Sequence, residues 1–364
     1  MASYGQRGPG APYMPALLGL SIRKTRERTV REALTYNDVL LVPQYSDIKS
    51  RKEVSLTSRL GDVELCLPIV ASPMDTVSES EMAAAMSANG GLAIIHRYNS
   101  IHEQRLQCDK ASLKGATVGA AIGTSGDYLD RATALYAAGV RLLCVDVAHG
   151  HHVLMKTALS ELRRAFRDDV HIMAGNVATL EGYNDLVDWG ADSVRCNIGG
   201  GSICSTRVQT GHGMPGLQTI FDCAQSDRDV PIIADGGIRN SGDIVKALAA
   251  GADFVMLGSL LSGTDETPGD ILNTRDGKFK AYRGMASKDA QVEWRGKTAS
   301  LEGIATTVAC KGPVEDVLAE LERGIRSGLS YSGARSISEL QAKAHFVRQT
   351  SSGQVESATH ILSR

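Results

Sequence analysis

The chain lacks the marks of several protein classes. It contains no CxxC pair, and its seven cysteines stand singly at 66, 108, 144, 196, 204, 223 and 310. That spacing excludes a zinc ribbon or an even disulfide framework and implies free thiols in a reducing compartment. No run approaches the ~18 apolar residues of a membrane-spanning helix. The short stretch from Met14 to Leu20 is interrupted by Pro15, which makes it a poor secretory leader, so a cytoplasmic location is expected. An excess of one charge is missing too: 39 Lys and Arg stand against 41 Asp and Glu, a formal net charge of -2. No global field favours nucleic acid or an anionic membrane, and any phosphate must be held locally. Aromatic residues are scarce at 5%, yet 43% of the 364 residues are hydrophobic and 22% are charged, the balance of a globular chain with a large core.

What is present is a repeat of short apolar runs. The first 33 residues, Gly/Pro-rich and then basic, carry no core periodicity and read as an N-terminal arm, which leaves 34–364 as one catalytic unit. Eight runs follow: 65–72, 91–96, 117–123, 141–148, 171–177, 193–199, 231–237 and 254–259. They are almost continuously apolar, as parallel strands covered on both faces should be, and most are separated by amphipathic segments such as YLDRATALYAAG and SGDIVKALAAG. Strand and helix alternating eight times predict an α/β fold of the (β/α)8 barrel type. The competing architecture is an open doubly wound sheet, which would usually bring a GxGxxG turn after the first strand, and none is there. Beyond the eighth run, ILNTRDGKFKAY alternates around Asp276-Gly277 and predicts a β-hairpin. Residues 286–312 show no clear periodicity and read as a long functional loop, so hairpin and flap together span about 271–312. VEDVLAELERGIRSGL reads as a helix.

In a barrel, chemistry sits at the carboxyl ends of the strands, so the polar residues closing each run are the candidates. These are Ser72, Met74 and Asp75 after the first run, His96 and Arg97 after the second, Asp146 and His149 after the fourth, and Asn176 after the fifth. The sixth closes with GGGSICSTR, the seventh with Asp235-Gly-Gly, and the eighth with Gly258-Ser259. The last two glycine-rich ends are a candidate phosphate cradle, because glycine lets backbone N–H groups approach an anion. Cys204 lies in a loop of small residues, unlike Cys144 and Cys196, which read as core. A nucleophilic thiol needs access and a stabilised thiolate, and Arg207 and the loop amides are placed to help. His149, His151 and His152 lack the i, i+4 spacing of a helical metal site and do not read as a metal cluster.

Together, ASPMDTV (71–77), MAGNVAT (173–179), GGGSICSTR (199–207), IIADGGIRNSGDIVKALAAGADFVMLGS (232–259) and YRGMAS (282–287) resemble the IMP dehydrogenase and GMP reductase superfamily from about Leu34 onward. The resemblance implies a barrel assembled as a homotetramer, with a purine nucleoside monophosphate as substrate. It implies that Cys204 attacks C2 of the purine. Asp235 is then expected at the ribose, with Gly237, Gly258, Ser259 and Tyr282 at the phosphate. Ser72, Met74, Gly201, Ser202, Gly284 and Met285 are expected elsewhere on the nucleotide. Asp146, Ala148, Asn176 and Arg97 are expected at the nicotinamide cofactor. Backbone oxygens of Gly199, Gly201 and Cys204 are expected to hold a potassium ion, a role to which the tail RQTSSGQVESATHIL of a neighbouring subunit would contribute. Gly200 departs from the proline of the usual GPGS and is expected to loosen the loop.

Two reactions divide that family. A dehydrogenase oxidises IMP with NAD and hydrolyses the covalent intermediate by means of a flap Arg-Tyr pair; a reductase deaminates GMP and takes a hydride from NADPH. Here Glu302 follows Met285 by 17 positions with no Arg-Tyr pair between them, and ASLEG, KGPVED and LSYSGA look like the reductase. Glu302 is then the acid/base that acts with Thr206 on departing ammonia. The tail looks instead like that of some dehydrogenases, and Trp294-Arg295 is a rearranged candidate for the water-activating pair. Only about 20 residues follow His96 before the next strand, too few for the regulatory module usual in dehydrogenases. Reduction of GMP to IMP by NADPH is the expected activity. IMP dehydrogenation is the alternative, as is a modified 7-deazaguanine nucleotide substrate admitted by Gly200, His212 and Met214.

Overall fold

The computed structural model describes residues 30–298 and 301–357, so most of the expected arm, residues 1–29, lies outside the described residues. The chain divides after Glu32, and the unit considered below is Ala33–Arg364. Its eight central strands are β1 (Ile69–Ala71), β2 (Leu92–Ile95), β3 (Gly119–Ile122), β4 (Leu142–Asp146), β5 (His171–Val177), β6 (Ser193–Cys196), β7 (Ile232–Asp235) and β8 (Phe254–Leu257). Each falls inside one of the eight apolar runs. All neighbours pair in parallel, and β8 returns to β1 through Val255↔Ile69, which closes the barrel. Closure eliminates the open sheet.

The runs are continuous because both faces are buried. Inward residues such as Val70, Ile94, Cys144, Met173 and Phe254 fill the lumen, while Ile69, Ile95, Val145 and Val255 belong to the layer beneath the helices. A hairpin formed by Ser58–Leu60 and Val63–Leu65 adds Leu60 and Leu65 to the lumen cluster. Helices begin where the rim loops end: Thr179 caps Leu180–Asp188, Asn240 caps Ser241–Ala249, and Ser100 with Glu103 forms a capping box on Ile101–Leu113. No helix among the described residues is long and apolar enough to cross a membrane.

The hairpin forms where expected, Leu272–Thr274 against Gly277–Arg283, with Gly277 at φ +130° in the turn. The segment after it departs from the expected aperiodic loop. Lys288–Arg295 is a helix, and Ala305–Ala309 pairs with Gly277–Arg283 as a third strand. That strand is mostly exposed, so no hydrophobic alternation announces it; its order comes from backbone pairing. The helix had local signals, an N-cap at Ser287 and a left-handed C-cap at Gly296. The long helix Val314–Tyr331 covers the predicted segment and packs on Ser241–Ala249.

Candidate active site

Every residue that the resemblance implies for binding or catalysis lines a single cavity of about 370 Å³ at the carboxyl ends of the strands, whereas the rim candidates Asp75, His96 and His149 do not line it. Ser72 and Met74 enter from β1, Arg97 from β2, Asp146 and Ala148 from β4, and Asn176 from β5. The loop after β6 brings Gly199, Gly201, Ser202, Cys204 and Thr206, while β7 and β8 bring Asp235, Gly237, Gly258 and Ser259. The region after the barrel adds Tyr282, Gly284, Met285 and Glu302.

Cys204 is exposed in this cavity, whereas Cys144 and Cys196 are buried core thiols, as read from the sequence. Burial pushes the Cys144 thiol up to about 12. Cys204 Sγ lies 3.1 Å from the Thr206 hydroxyl, and that hydroxyl donates to a Glu302 carboxylate oxygen at 2.8 Å. Backbone pairing holds Glu302 in place: Ser205 N–H donates to Glu302 O at 2.9 Å, and Ile304 N–H to Ile203 O at 3.1 Å. Gly284 N–H donates to Ile304 O at 2.9 Å. Glu302 is therefore built into the cysteine loop and is not a free solvated side chain.

Gly200 makes room in that loop for a contact that a Cβ would block. A Cβ there would lie 2.2 Å from Asn197 Nδ2, because the Asn197 carboxamide fills the space. The same amide donates to Asp235 O at 2.8 Å and Gly236 O at 3.2 Å, tying the cysteine loop to the loop after β7.

Glycine serves close approach at the opposite corner. A Cβ on Gly258 would meet Tyr282 Oη at 3.0 Å, Met74 Sδ at 3.1 Å and Ser72 Oγ at 3.6 Å. The buried Tyr282 hydroxyl bonds Ser202 and Ser259, and burial pushes its pKa up. Gly236 and Gly237 have φ of +76° and +75°, a conformation that glycine adopts freely, and both line the cavity.

The residue most clearly missed is Arg195, in the middle of β6. It is 5% exposed, and its guanidinium donates to Asp146 at 2.6 Å and to Asp235 at 2.8 and 3.2 Å. Burial alone would raise the Asp146 carboxyl, but Arg195 and Arg97 outweigh it and hold Asp146 below the usual carboxylate range. An arginine inside a buried strand was the available signal, since a buried charge demands partners. Asn176 Nδ2 donates to Asp235 at 2.8 Å, while Asn176 Oδ1 is buried without a partner. That orphaned acceptor, in the cavity that Asp146, Ala148 and Arg97 also line, suits the carboxamide of a nicotinamide ring.

Other expectations change. Arg207 turns its guanidinium to Met214 O and is not part of the cavity wall, so among the groups expected to assist the thiol it drops out. Neither His212 nor Met214 lines the cavity, which leaves Gly200 alone of the three positions invoked for a modified purine. The Arg295 side chain lies outside the described residues, whereas Trp294 reaches the cavity. His151 pairs with Asp185 at 2.8 Å and His152 caps its helix through Leu154 N–H. The Gly201 carbonyl accepts Cys204 N–H at 3.1 Å within the loop. A carbonyl oxygen has two lone pairs, so this bond leaves Gly201 O able to take a cation, and Gly199, Gly201 and Cys204 all line the cavity.

The matches with known proteins agree with this geometry. Residues 33–360 match the family described as IMP dehydrogenase / GMP reductase domain. This chain belongs to that family. It is 34% identical to the inosine-5'-monophosphate dehydrogenase of Nitrosopumilus maritimus (strain SCM1), over 91% of this chain and 98% of the relative. It is 33% identical to the GMP reductase of Leishmania major, over 92% and 98%. A crystal structure of a cysteine-to-alanine variant of GMP reductase from Trypanosoma brucei, in complex with guanosine 5'-monophosphate, superposes with a TM-score of 0.87 at 34% identity, covering 91% of this chain and 98% of that one. The alignments to the first two run over 469 and 483 positions, more than this chain has residues, so relatives named for either activity carry insertions absent here. The missing insertion therefore does not distinguish the two reactions.

Proposed function

We propose that the chain is a GMP reductase that converts GMP to IMP and ammonia with NADPH. The observation that carries this reading is the relay Cys204–Thr206–Glu302, with spacings of 3.1 and 2.8 Å. The thiol proton passes through Thr206 to Glu302, and the thiolate adds to C2 of guanine. The C2–N2 bond then breaks, and the same carboxyl returns its proton to the departing amine, which leaves as ammonia. A reduced nicotinamide held by Asp146, Ala148, Asn176 and Arg97 would supply hydride to C2 of the resulting thioimidate. As the C–S bond breaks, Cys204 is restored and IMP is released.

The surrounding residues position this chemistry. Asp235 receives Arg195 and Asn176 on a single oxygen, Oδ2, which leaves the other to the ribose hydroxyls. Gly237, Gly258 and Ser259, at the glycine-rich ends of β7 and β8, suit the phosphate, and the complex of the Trypanosoma brucei neighbour with guanosine 5'-monophosphate supports a purine nucleotide in this cavity. Asp146, Ala148, Asn176 and Arg97 would hold the nicotinamide end of the cofactor.

The test follows nicotinamide absorbance in two mixtures, GMP with NADPH and IMP with NAD, with ammonia assayed in the first. Cofactor oxidation with stoichiometric ammonia is the expected result. Cofactor reduction with XMP formed would overturn the reading in favour of the dehydrogenase, which the Nitrosopumilus relative keeps in view. Silence in both mixtures would turn attention to a modified purine.

A further inference from the structure

Lys280 stands in the strand Gly277–Arg283 and is 4% exposed. A lysine is rarely buried unless its charge is paired, yet this ammonium gives none of its three protons to a carboxylate. They go to backbone oxygens: Thr264 O at 3.1 Å, Asp265 O at 3.0 Å and Thr267 O at 2.7 Å. Converging carbonyls of this kind are how a protein replaces the hydration shell of a monovalent cation. Here the cation is tethered to the chain. The cage belongs to the loop after β8, whose first residues, Gly258 and Ser259, suit the phosphate. Leu261 and Ser262 N–H groups donate to Gly258 O at 3.1 and 2.9 Å, which joins the two ends of that loop. A second ammonium holds the cradle end: Lys311 Nζ donates to Ser259 O at 2.7 Å and to Leu260 O at 3.0 Å. Strand alternation puts Tyr282 on the same buried face as Lys280, two residues on, and the Tyr282 hydroxyl bonds Ser202 and Ser259.

We infer that Lys280 is a positioning residue for the substrate phosphate, its ammonium serving as a built-in monovalent cation that keeps the loop after β8 in the shape of the cradle and Tyr282 against it. The inference rests on the functional reading above, which puts the phosphate at Gly237, Gly258 and Ser259. Two consequences separate this role from one of merely holding the fold. The effect falls on the phosphate alone, so a nucleotide and its nucleoside respond differently. A free ammonium that fits the emptied cage also takes over the task, since three converging oxygens remain when the side chain is gone. Lys311 secures the cradle end of the same loop from an exposed position and acts in the same sense with a smaller effect.

The experiment measures binding of GMP and of guanosine by calorimetry to the full-length wild type, Lys280→Ala and Lys311→Met. Lys280→Ala removes the outline of a propylammonium ion, so each titration is repeated in propylammonium chloride and, at equal ionic strength, in tetramethylammonium chloride, whose cation has no proton to donate. Lys280→Ala is expected to bind GMP at least about tenfold more weakly, with guanosine affinity within about twofold of the wild type, and propylammonium alone to restore GMP binding. Lys311→Met should weaken GMP binding about threefold and again leave guanosine unmoved. Equal losses for GMP and guanosine overturn the inference, since the lysine would then only hold the fold. A loss that propylammonium does not repair, or that tetramethylammonium repairs as well, does the same. If Lys280→Ala does not fold, Lys311→Met decides, and unchanged GMP affinity there overturns the inference. A wild type that does not prefer GMP to guanosine instead overturns the phosphate placement beneath it, and that result is recognisable because it needs no variant.

Discussion

Asp235 and Glu302 face the same cavity from two walls built in different ways. Asp235 ends a strand of the closed barrel, is gripped by Arg195 and Asn176, and stands at the head of a buried lumen. Glu302 sits in a segment whose neighbours Leu301 and Ile304 are about half exposed, at 49% and 53%, and backbone hydrogen bonds to the cysteine loop hold it there. The rim wall is specified by burial and charge pairing, and it offers what any nucleotide-and-nicotinamide reaction of this family needs. The flap wall has little burial behind it and, on the proposed reading, carries the carboxyl that serves deamination. If binding and reaction outcome rest on these separate walls, as proposed, substitutions should separate them.

The largest effect is expected where the two walls meet. Cys204→Ala should lower turnover by ~10⁴-fold or more while GMP affinity, read by calorimetry, stays within about threefold. Substantial residual turnover would sink the covalent mechanism. Glu302→Gln keeps the backbone pairing and removes the proton carrier. It should lower kcat for ammonia release by ~10²–10³-fold and leave KM for GMP nearly unchanged. An effect on KM alone would mean that the flap wall shapes the binding site, and the contrast between the walls would be lost.

Arg195 tests the rim. Removing one partner from a buried ion cluster leaves uncompensated charge, so Arg195→Met should cost about 3–5 kcal/mol of stability in denaturant unfolding and weaken GMP binding along with it. Leu301→Ala in the flap should stay within ~0.5 kcal/mol, as exposed sites usually do. Equal costs at the two positions would show that the flap is as deeply integrated as the rim.

That contrast also explains what the sequence made legible. The eight strands were readable because burial on both faces writes itself as continuous apolar runs such as RLLCVDVA and PIIADGG. The residues that line the cavity were readable because they stand where those runs stop, and the family's motifs fall there. Arg195 escaped because it lies inside a run, where only its cost betrays it. The strand Ala305–Ala309 escaped because its order comes from backbone pairing that leaves no side-chain periodicity. Asn197 escaped because its role depends on Gly200: the space it occupies exists only where the loop carries no Cβ.

Asp253 offers the smallest effect, at the end of the barrel away from either wall. It stands just before β8 and accepts the Ile232 N–H at 2.8 Å. Burial raises its pKa from 3.8 to about 6, against the opposing pull of that hydrogen bond. A carboxyl whose pKa rises on folding holds its proton more tightly in the folded state, so its contribution to stability is complete below the unfolded value near 4 and is lost as the pH climbs through 6. Above that, the folded protein carries a charge that burial disfavours. Asp253→Asn keeps an acceptor for Ile232 and cannot ionise. It should be more stable than the wild type by about 1–3 kcal/mol at pH 8, with the difference closing towards pH 4. Turnover should be unchanged, since Asp253 is not part of the catalytic cavity wall. A stability difference independent of pH would assign the effect to packing, and a change in kcat would show that the foot of the barrel reaches the rim.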